Sequence, residues 1–346
     1  MKNFLLLGFF SLAFNAQGQT LLLSENFDYP AGAPLRDHGW YVHSGGTTNP
    51  ITVSATGLSL GTTLYFGNAI GRAASVNNTG ADENRPLSAN RDSGSVYASF
   101  LLKTSGEITT DGSGYFFHFV EYSNPSAPVY TAISTAHRAR TYITVGSTPA
   151  SFRLGLTFNS ATVPSAVGVD VTNDLDTSKT YLVVVKYTFV SGADNDQVSL
   201  FVFENGDTLT NEPATATLGP FGGTAADLSQ IQGVALRQFN AAQKVIVDGI
   251  YVRDNWLLQP DNTSVKSNNF SNAVRIYPNP LAQGPLYIHA ENTAEMKAQL
   301  SDMQGKKVLQ ATVTDGKIDL PPLPMGIYLL QLEQNGLLAT KRLIIR

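Results

Sequence analysis

Tyr181-Leu182-Val183-Val184-Val185-Lys186-Tyr187-Thr188-Phe189-Val190 runs into Gly192-Ala193-Asp194-Asn195-Asp196, after which Val198, Leu200 and Val202 recur at alternate positions. The first run is almost wholly apolar, as expected of a central strand covered on both faces, whereas the second has the period of two that marks a half-buried strand. The Gly/Asp/Asn cluster between them turns the chain. Outward from this pair the pattern repeats. Phe152, Leu154, Leu156 and Phe158 alternate with Arg153, Gly155 and Thr157, and further strands are expected over 96–102, 115–120, 140–145 and 244–252. Between Leu21 and Leu258 no 3.6-residue periodicity is convincing. Many strands and Gly/Asn/Ser-rich loops without helices predict an all-β, antiparallel two-sheet sandwich or jelly roll.

The last 73 residues, 274–346, form a second all-β segment. Short strands are expected over 286–290, 296–300, 307–313, 316–320, 327–333 and 337–345. They are punctuated by an Asp302-to-Gly305 turn, Pro321-Pro322 and Asn335-Gly336. Asn-Gly between two apolar runs is a strong hairpin signal. Six or seven strands in this length predict a small Ig-like β-sandwich.

This tail resembles the type A sorting domains of the type IX secretion system of Bacteroidetes. The matching residues are Tyr277-Pro278-Asn279-Pro280, Asp302 with Gly305-Lys306, Leu323 with Gly326-Ile327-Tyr328, and the terminal run from Lys341 and Arg342 to Arg346. The resemblance implies passage through the outer membrane by the type IX machinery, usually with removal of the tail, leaving the cargo secreted or on the cell surface. The front of the chain fits such a route. Lys2, an apolar run of 11 residues over 4–14 and Ala16-Gln17-Gly18 read as a secretory signal peptide over 1–18, cut before Gln19. The expected order is therefore signal peptide 1–18, β-sandwich 19–258, an Asn/Ser/Thr-rich linker 259–273 and the tail 274–346.

Composition narrows the function of the sandwich. Formal charge is −4 with pI near 5.7, and the chain ahead of Val274 is the more acidic part, the opposite of a nucleic-acid binder. There is no cysteine, which excludes disulfides, thiolate catalysis and cysteine–zinc sites. Glu25-Asn26-Phe27-Asp28-Tyr29-Pro30 with Gly39-Trp40, and Ile246-Val247-Asp248-Gly249-Ile250-Tyr251-Val252 with Trp256, resemble the first and closing strands of concanavalin A-like lectin/glucanase (laminin-G-like) domains. That resemblance implies a fold shared by lectins, glycosidases, lyases and adhesion modules, so the fold does not choose among them.

Catalytic signatures are sparse. Glucanases of this fold carry acids at alternate positions of one strand, because a retaining glycosidase needs two carboxylates about 5 Å apart. None of the nine glutamates begins such a run. Gly57-Leu58-Ser59-Leu60-Gly61 has the Gly-x-Ser-x-Gly spacing, but a nucleophile elbow is a strand-to-helix turn and no helix is expected here. Asp82-Glu83-Asn84-Arg85 reads as a polar loop with a local salt bridge. His118, between Phe116 and Val120, with Arg140 and Tyr142 suggests either a groove or a hydrogen-bonded core histidine. Related lyases use His, Tyr and Arg as base, acid and charge neutraliser. Flat rings and hydrogen-bonding side chains are what sugars require, which nominates Trp40, Tyr65, His118, Arg140, Tyr142 and Arg153 as ligand-binding candidates. No organic cofactor motif occurs. Ca²⁺ is the ion the loops suggest, with Asp194, Asp196 and Asp248 as oxygen ligands. Asp248 is expected to share a strand face with Ile246 and Ile250. The expected function is an exported or cell-surface protein that binds carbohydrate or mediates adhesion. A polysaccharide-degrading enzyme and a structural module without a ligand are the alternatives.

Overall fold

The structure is a computed structural model that describes residues 20–109, 114–223, 225–259, 274–282, 284–290, 296–302, 306–334 and 337–346. The expected signal peptide, nearly all of the linker, Gly305 and Asn335-Gly336 lie outside the described residues. The chain divides into two units, 1–260 and 261–346.

Two antiparallel sheets make the first unit. One contains β1 (Leu21–Glu25), β3 (Thr52–Val53), β4 (Ala73–Val76), β6 (Ser95–Thr104), β11 (Tyr181–Thr188), β12 (Gln197–Phe203), β13 (Leu218–Phe221) and β15 (Val245–Arg253). Its order is β13-β12-β11-β6-β15-β4-β3, with β1 also pairing with β15. The apolar run from Tyr181 is β11, held between β6 and β12. The other sheet contains β2 (Tyr41–Ser44), β5 (Asp82–Arg91), β7 (Tyr115–Val120), β8 (Arg138–Val145), β9 (Ser151–Thr157), β10 (Leu175–Asp176) and β14 (Ile231–Leu236), in the order β10-β9-β8-β7-β14-β5-β2. Alternate residues of both sheets, among them Phe100, Val183, Val185, Phe117, Phe119, Leu154 and Val234, meet in one buried core. Burying side chains of this size stabilises the fold by about 1.5–3 kcal/mol each.

The two outer faces differ. On the eight-stranded sheet, Leu101, Leu182, Val184, Phe201 and Phe203 point outward and are covered by Leu58, Leu60, Tyr65, Leu209, Trp256 and Leu258 from loops and the segment after β15, so this face is an apolar third layer. On the seven-stranded sheet the outward apolar cluster is small: Val120, Tyr122 and Ala235, with Tyr130 and Ile133 packed against it. The rest of that face is polar and aromatic.

Two expectations are corrected. The stretch 82–85 is not a loop but the start of the ten-residue strand β5. Its polar side chains meet distant partners rather than one another, and Glu83 Oε2 meets none. Ile51 N–H donates to Glu83 at 3.0 Å, Gln238 N–H to Asp82 at 2.9 Å, and Arg85 donates to the His38 carbonyl at 2.5 Å. Secondly, Asp248 shares a face with Ile246 but not with Ile250. Gly249, at φ +55°, forms a bulge there that turns Ile250 into the central core. A side chain at Gly249 would also strike the backbone of Gly67.

The second unit is a smaller pair of sheets with its own core, built on Leu286, Ala298, Leu300, Leu330, Leu332 and Leu343. Strands β16 (Arg275–Tyr277), β17 (Leu286–His289) and β20 (Lys317–Ile318) form one sheet. The other runs β19 (Lys307–Val313), β18 (Met296–Asp302), β21 (Gly326–Gln334), β22 (Leu337–Ile345). Seven strands in two sheets are the Ig-like arrangement that the punctuation of the tail predicts.

Candidate functional site

Cross-strand register assembles the polar face of the seven-stranded sheet. His118 of β7 lies opposite Ala235 of β14, Ala235 opposite Asn84 of β5, and Asn84 opposite Tyr41 of β2. In a parallel row Tyr115 faces Tyr142, and Tyr142 faces Gly155. Strand β7 is irregular between Tyr115 and Phe119. Phe116, Phe117 and Phe119 all join the inner core, while Tyr115 and His118 are left outside together.

The result is a cluster of three histidines, one tyrosine and two arginines. His118 stacks on His137 at 4.4 Å between ring centroids and meets His43 edge-on at 6.2 Å. The Tyr115 hydroxyl is 2.8 Å from His137 Nδ1. The guanidinium groups of Arg140 and Arg237 lie over the Tyr115 ring, at 4.8 Å and 4.5 Å. Asp82 sits behind Arg237 at 3.6 Å. Segment 121–137 folds back over one end of the face, where Tyr130 packs on Tyr41 and Tyr122 and its carbonyl accepts from Asn84.

Protonation follows from these contacts. His118 is fully buried and its Nδ1 is 2.8 Å from the Phe119 carbonyl. A carbonyl only accepts, so Nδ1 carries the hydrogen and Nε2 of the neutral ring is a bare lone pair. That Nε2 has no hydrogen-bond partner. Burial first, and then the charge of neighbouring His137, hold the His118 imidazole well below its ordinary range. Burial likewise lowers His43 and His137 to about 4, assisted by His137 in the first case and by Arg140 and Arg237 in the second. Burial raises Tyr115, so its phenol is protonated at neutral pH. The face thus presents neutral imidazoles, a phenol and two permanent cations.

The sequence-nominated residues divide sharply. His118, Arg140 and Tyr142 come together around Tyr115. Tyr142 is itself buried, its hydroxyl donating to the Ser160 carbonyl at 2.6 Å. Arg153 lies on the same sheet face and is paired with Asp174 at 2.8 Å, without hydrogen-bond alignment at Nε. Trp40 and Tyr65 are corrected to core residues. Only 1% and 4% exposed, they are tied down by Glu25 and by Ser99 with the Gly249 carbonyl. The carboxylates nominated for Ca²⁺ are dispersed. Asp196 accepts from Tyr187 O–H and Val190 N–H, Asp248 from Leu58 and Gly249 N–H, and Asp194 is an exposed turn residue. Among the described residues no group of three or more His, Asp or Glu is placed to hold a metal ion. Tyr115, His43, Asn84 and Arg237 were not nominated, because only the order of the strands brings them to this face.

In the second unit, Asn279 reaches the last strand. Its Nδ2 donates to the Arg342 carbonyl at 2.7 Å and its Oδ1 accepts from Ile344 N–H at 2.9 Å. Leu281 N–H then donates to the Ile344 carbonyl of β22, and Arg346 N–H donates to the Leu281 carbonyl. The start of the tail is thereby stitched to its end. Residues 275–346 match the family described as secretion system C-terminal sorting domain. The tail is a type IX sorting domain. A chain with this sorting domain is exported to the cell surface or secreted. Of the motif residues in the sorting domain, Asn279, Pro280 and Arg342 lie at this junction. Tyr277 is half exposed and stacks on Tyr287, and Gly326 and Lys341 belong to the β21–β22 pair. No helix among the described residues is long and apolar enough to cross a membrane.

No curated protein sequence matches the chain. Among solved structures it is similar to the catalytic domain of a glycoside hydrolase family 131 protein from Coprinopsis cinerea (14% identity, 74% of this chain and 91% of that one, TM-score 0.35). It is also similar to an endo-1,3-beta-glucanase from Streptomyces sioyaensis (12%, 72% and 100%, 0.30) and to a lectin from Bauhinia forficata in complex with GalNAc (14%, 67% and 98%, 0.28). Scores this low say nothing about activity, so the functional argument rests on the site.

Proposed function

We propose that the first unit is a carbohydrate-binding sandwich delivered outside the cell by the sorting domain, with its glycan site on the outer face of the seven-stranded sheet. One contrast carries this reading: the other sheet's outer face is sealed by an apolar layer, while this one gathers Tyr41, Tyr115, Tyr130, three neutral histidines, Asn84 and two arginines. Rings stacked beside donors and acceptors are what a sugar's apolar face and hydroxyl rim require. The purified full-length protein should bind a restricted set of immobilised glycans, and His137→Ala should weaken that binding with the fold intact by circular dichroism. Silence across plant, algal and host glycans sinks the reading.

A second reading, acid–base catalysis on a polysaccharide, is favoured by one observation. A phenolic donor, Tyr115, and an imidazole lone pair, His118 Nε2, stand side by side. It stands second because proton transfer is best served by a pKa near the working pH, and imidazoles held at about 4, as in His43 and His137, or pushed well below the ordinary range by burial, as in His118, are weak bases at neutrality. Turnover of a bound glycan that is abolished by Tyr115→Phe, with binding retained, would raise it to first.

A further inference from the structure

Arg140 and Arg237 are an unusual pair. They come from different strands or strand ends, and both guanidinium groups are held against one phenol ring. Two cations brought together repel unless something negative lies between or beside them. Among the described residues Asp82 is the one carboxylate within ion-pair distance of either. It touches only Arg237, at 3.6 Å, while also accepting from Gln238 N–H and Ser44 O–H. Arg140 has no carboxylate partner, and its buried Nε makes no hydrogen bond. The three imidazoles beside them add no positive charge at neutral pH and supply no negative charge either. The other arginines near this sheet are already engaged, Arg138 by the Ala226 carbonyl and Arg153 by Asp174. What is left is a positively charged point on an otherwise neutral, ring-lined face.

We infer that Arg140 and Arg237 together form an anion subsite that takes the carboxylate or sulfate group of an acidic polysaccharide, with Tyr115 as the platform between them. The inference rests on the carbohydrate-binding reading of this face and narrows it to acidic glycans. Guanidinium groups suit both anions, because their forked donors match two oxygens of a carboxylate or a sulfate at once. The Tyr115 ring holds the forks in place and removes part of the cost of ordering two long side chains when the anion arrives.

The test uses the full chain, titrated calorimetrically with polygalacturonate, dextran sulfate and dextran at an ionic strength of about 0.15 M, where the screening length is about 8 Å. Polygalacturonate offers carboxylates, dextran sulfate offers sulfates, and dextran offers hydroxyls alone. At least one anionic polymer should bind and dextran should bind at least tenfold more weakly, the tighter polymer identifying the anion. Arg140→Gln and Arg237→Gln should each weaken anionic binding by about tenfold or more, the usual loss for a charged hydrogen bond. Lys179→Gln, an exposed cation paired with Glu204 away from this sheet face, should leave it unchanged. Arg140→Lys, which keeps charge but not the fork, should fall between wild type and Arg140→Gln, guarding against loss by misfolding. Equal binding of dextran and the anionic polymers overturns the inference and leaves the carbohydrate-binding reading standing. Anionic binding that survives both glutamine substitutions, or falls equally with Lys179→Gln, also overturns it. No binding to these three polymers, together with silence on a broad glycan array, removes both.

Discussion

Neutral imidazoles and protonated carboxyls inside one sandwich pull its stability in opposite directions with pH. His43 and His137 titrate near 4 in the fold against about 6.5 when unfolded. Between those values the unfolded chain binds more protons, so their contribution is present above about 6.5 and is lost as pH falls through 4. His118 acts in the same direction. Glu83 does the reverse. Burial lifts it to about 7, so the folded state holds the extra proton, and its contribution is fully present below about 4.5 and is lost as pH rises through 7. Asp248, also lifted to about 7 by burial, adds to the Glu83 side. The two groups oppose each other between about 4.5 and 6.5. Glu83→Gln keeps an acceptor for Ile51 N–H and removes one opposing titration. Urea midpoints at pH 7 and pH 5 should therefore drop further on acidification in Glu83→Gln than in wild type. An equal or smaller drop contradicts the assignment. A second change at this scale is Tyr115→Phe, which keeps the ring under both guanidiniums but deletes the 2.8 Å bond to His137. Its thermal midpoint should fall by only what a single hydrogen bond contributes, about 1 kcal/mol, while glycan affinity falls further if the hydroxyl also meets the ligand.

Strand β1 shows how one residue can fix an element. Glu25 at its end is 3% exposed, and its carboxylate accepts from Phe27 N–H at 2.8 Å, Tyr29 O–H at 3.0 Å and Trp40 Nε1–H at 3.1 Å, with Arg85 at 3.9 Å. Glu25→Ala strands two buried donors, on Phe27 and Trp40, and a half-buried one on Tyr29. It should cost about 2–4 kcal/mol, read as a lower chemical-denaturation midpoint with an unchanged m-value. A loss below about 1 kcal/mol would mean that water or a relaxed backbone replaces the carboxylate. The sequence resemblance at Glu25 to Trp40 thus marks a structural clamp and not a ligand platform. The same lesson separates what could be read from the sequence and what could not. Regular alternation located β9, β12 and most of the tail within two residues or so, because a half-buried strand writes its period directly into the chain, and an unbroken apolar run located β11. The irregularity in β7 broke that rule: Phe116 and Phe117 are adjacent and both buried in the core, so counting by twos misplaces Tyr115 relative to His118. Residues 82–85 depart from expectation for a different reason: their polarity suggests exposure, yet Asp82, Glu83 and Arg85 meet Gln238, Ile51 and Glu25 far along the chain, with Glu83 Oε2 left unpartnered. His118, Arg140 and Tyr142 were visible because their strands carry them on the polar phase. His43 and Arg237 join them only through the order β8-β7-β14-β5-β2, which no local pattern encodes.

The whole molecule is two units with separate cores, one beneath the proposed glycan face and one in the sorting domain. Separate cores mean that each should fold without the other. A chain ending at Gln259 should therefore melt cooperatively and keep the glycan affinity of the full protein, yet fail to leave the periplasm when expressed in a host with the type IX machinery. Export of that shortened chain would overturn the division of labour, whereas loss of its cooperative melt would overturn the independence of the units. A point substitution distinguishes loss of the sorting domain from damage within it. Asn279→Ala removes both the bond to the Arg342 carbonyl and the acceptor for Ile344 N–H, unstitching the start of the domain from its last strand. If export depends on the terminal strand being held in that register, Asn279→Ala should slow export of an otherwise folded protein, and Asn279→Asp, which keeps the acceptor but loses the donor, should slow it less. If the machinery reads only the extended sequence, both variants should leave export unchanged while the Gln259-terminated chain is still retained. The three proteins together locate the address in either the fold of the tail or its letters.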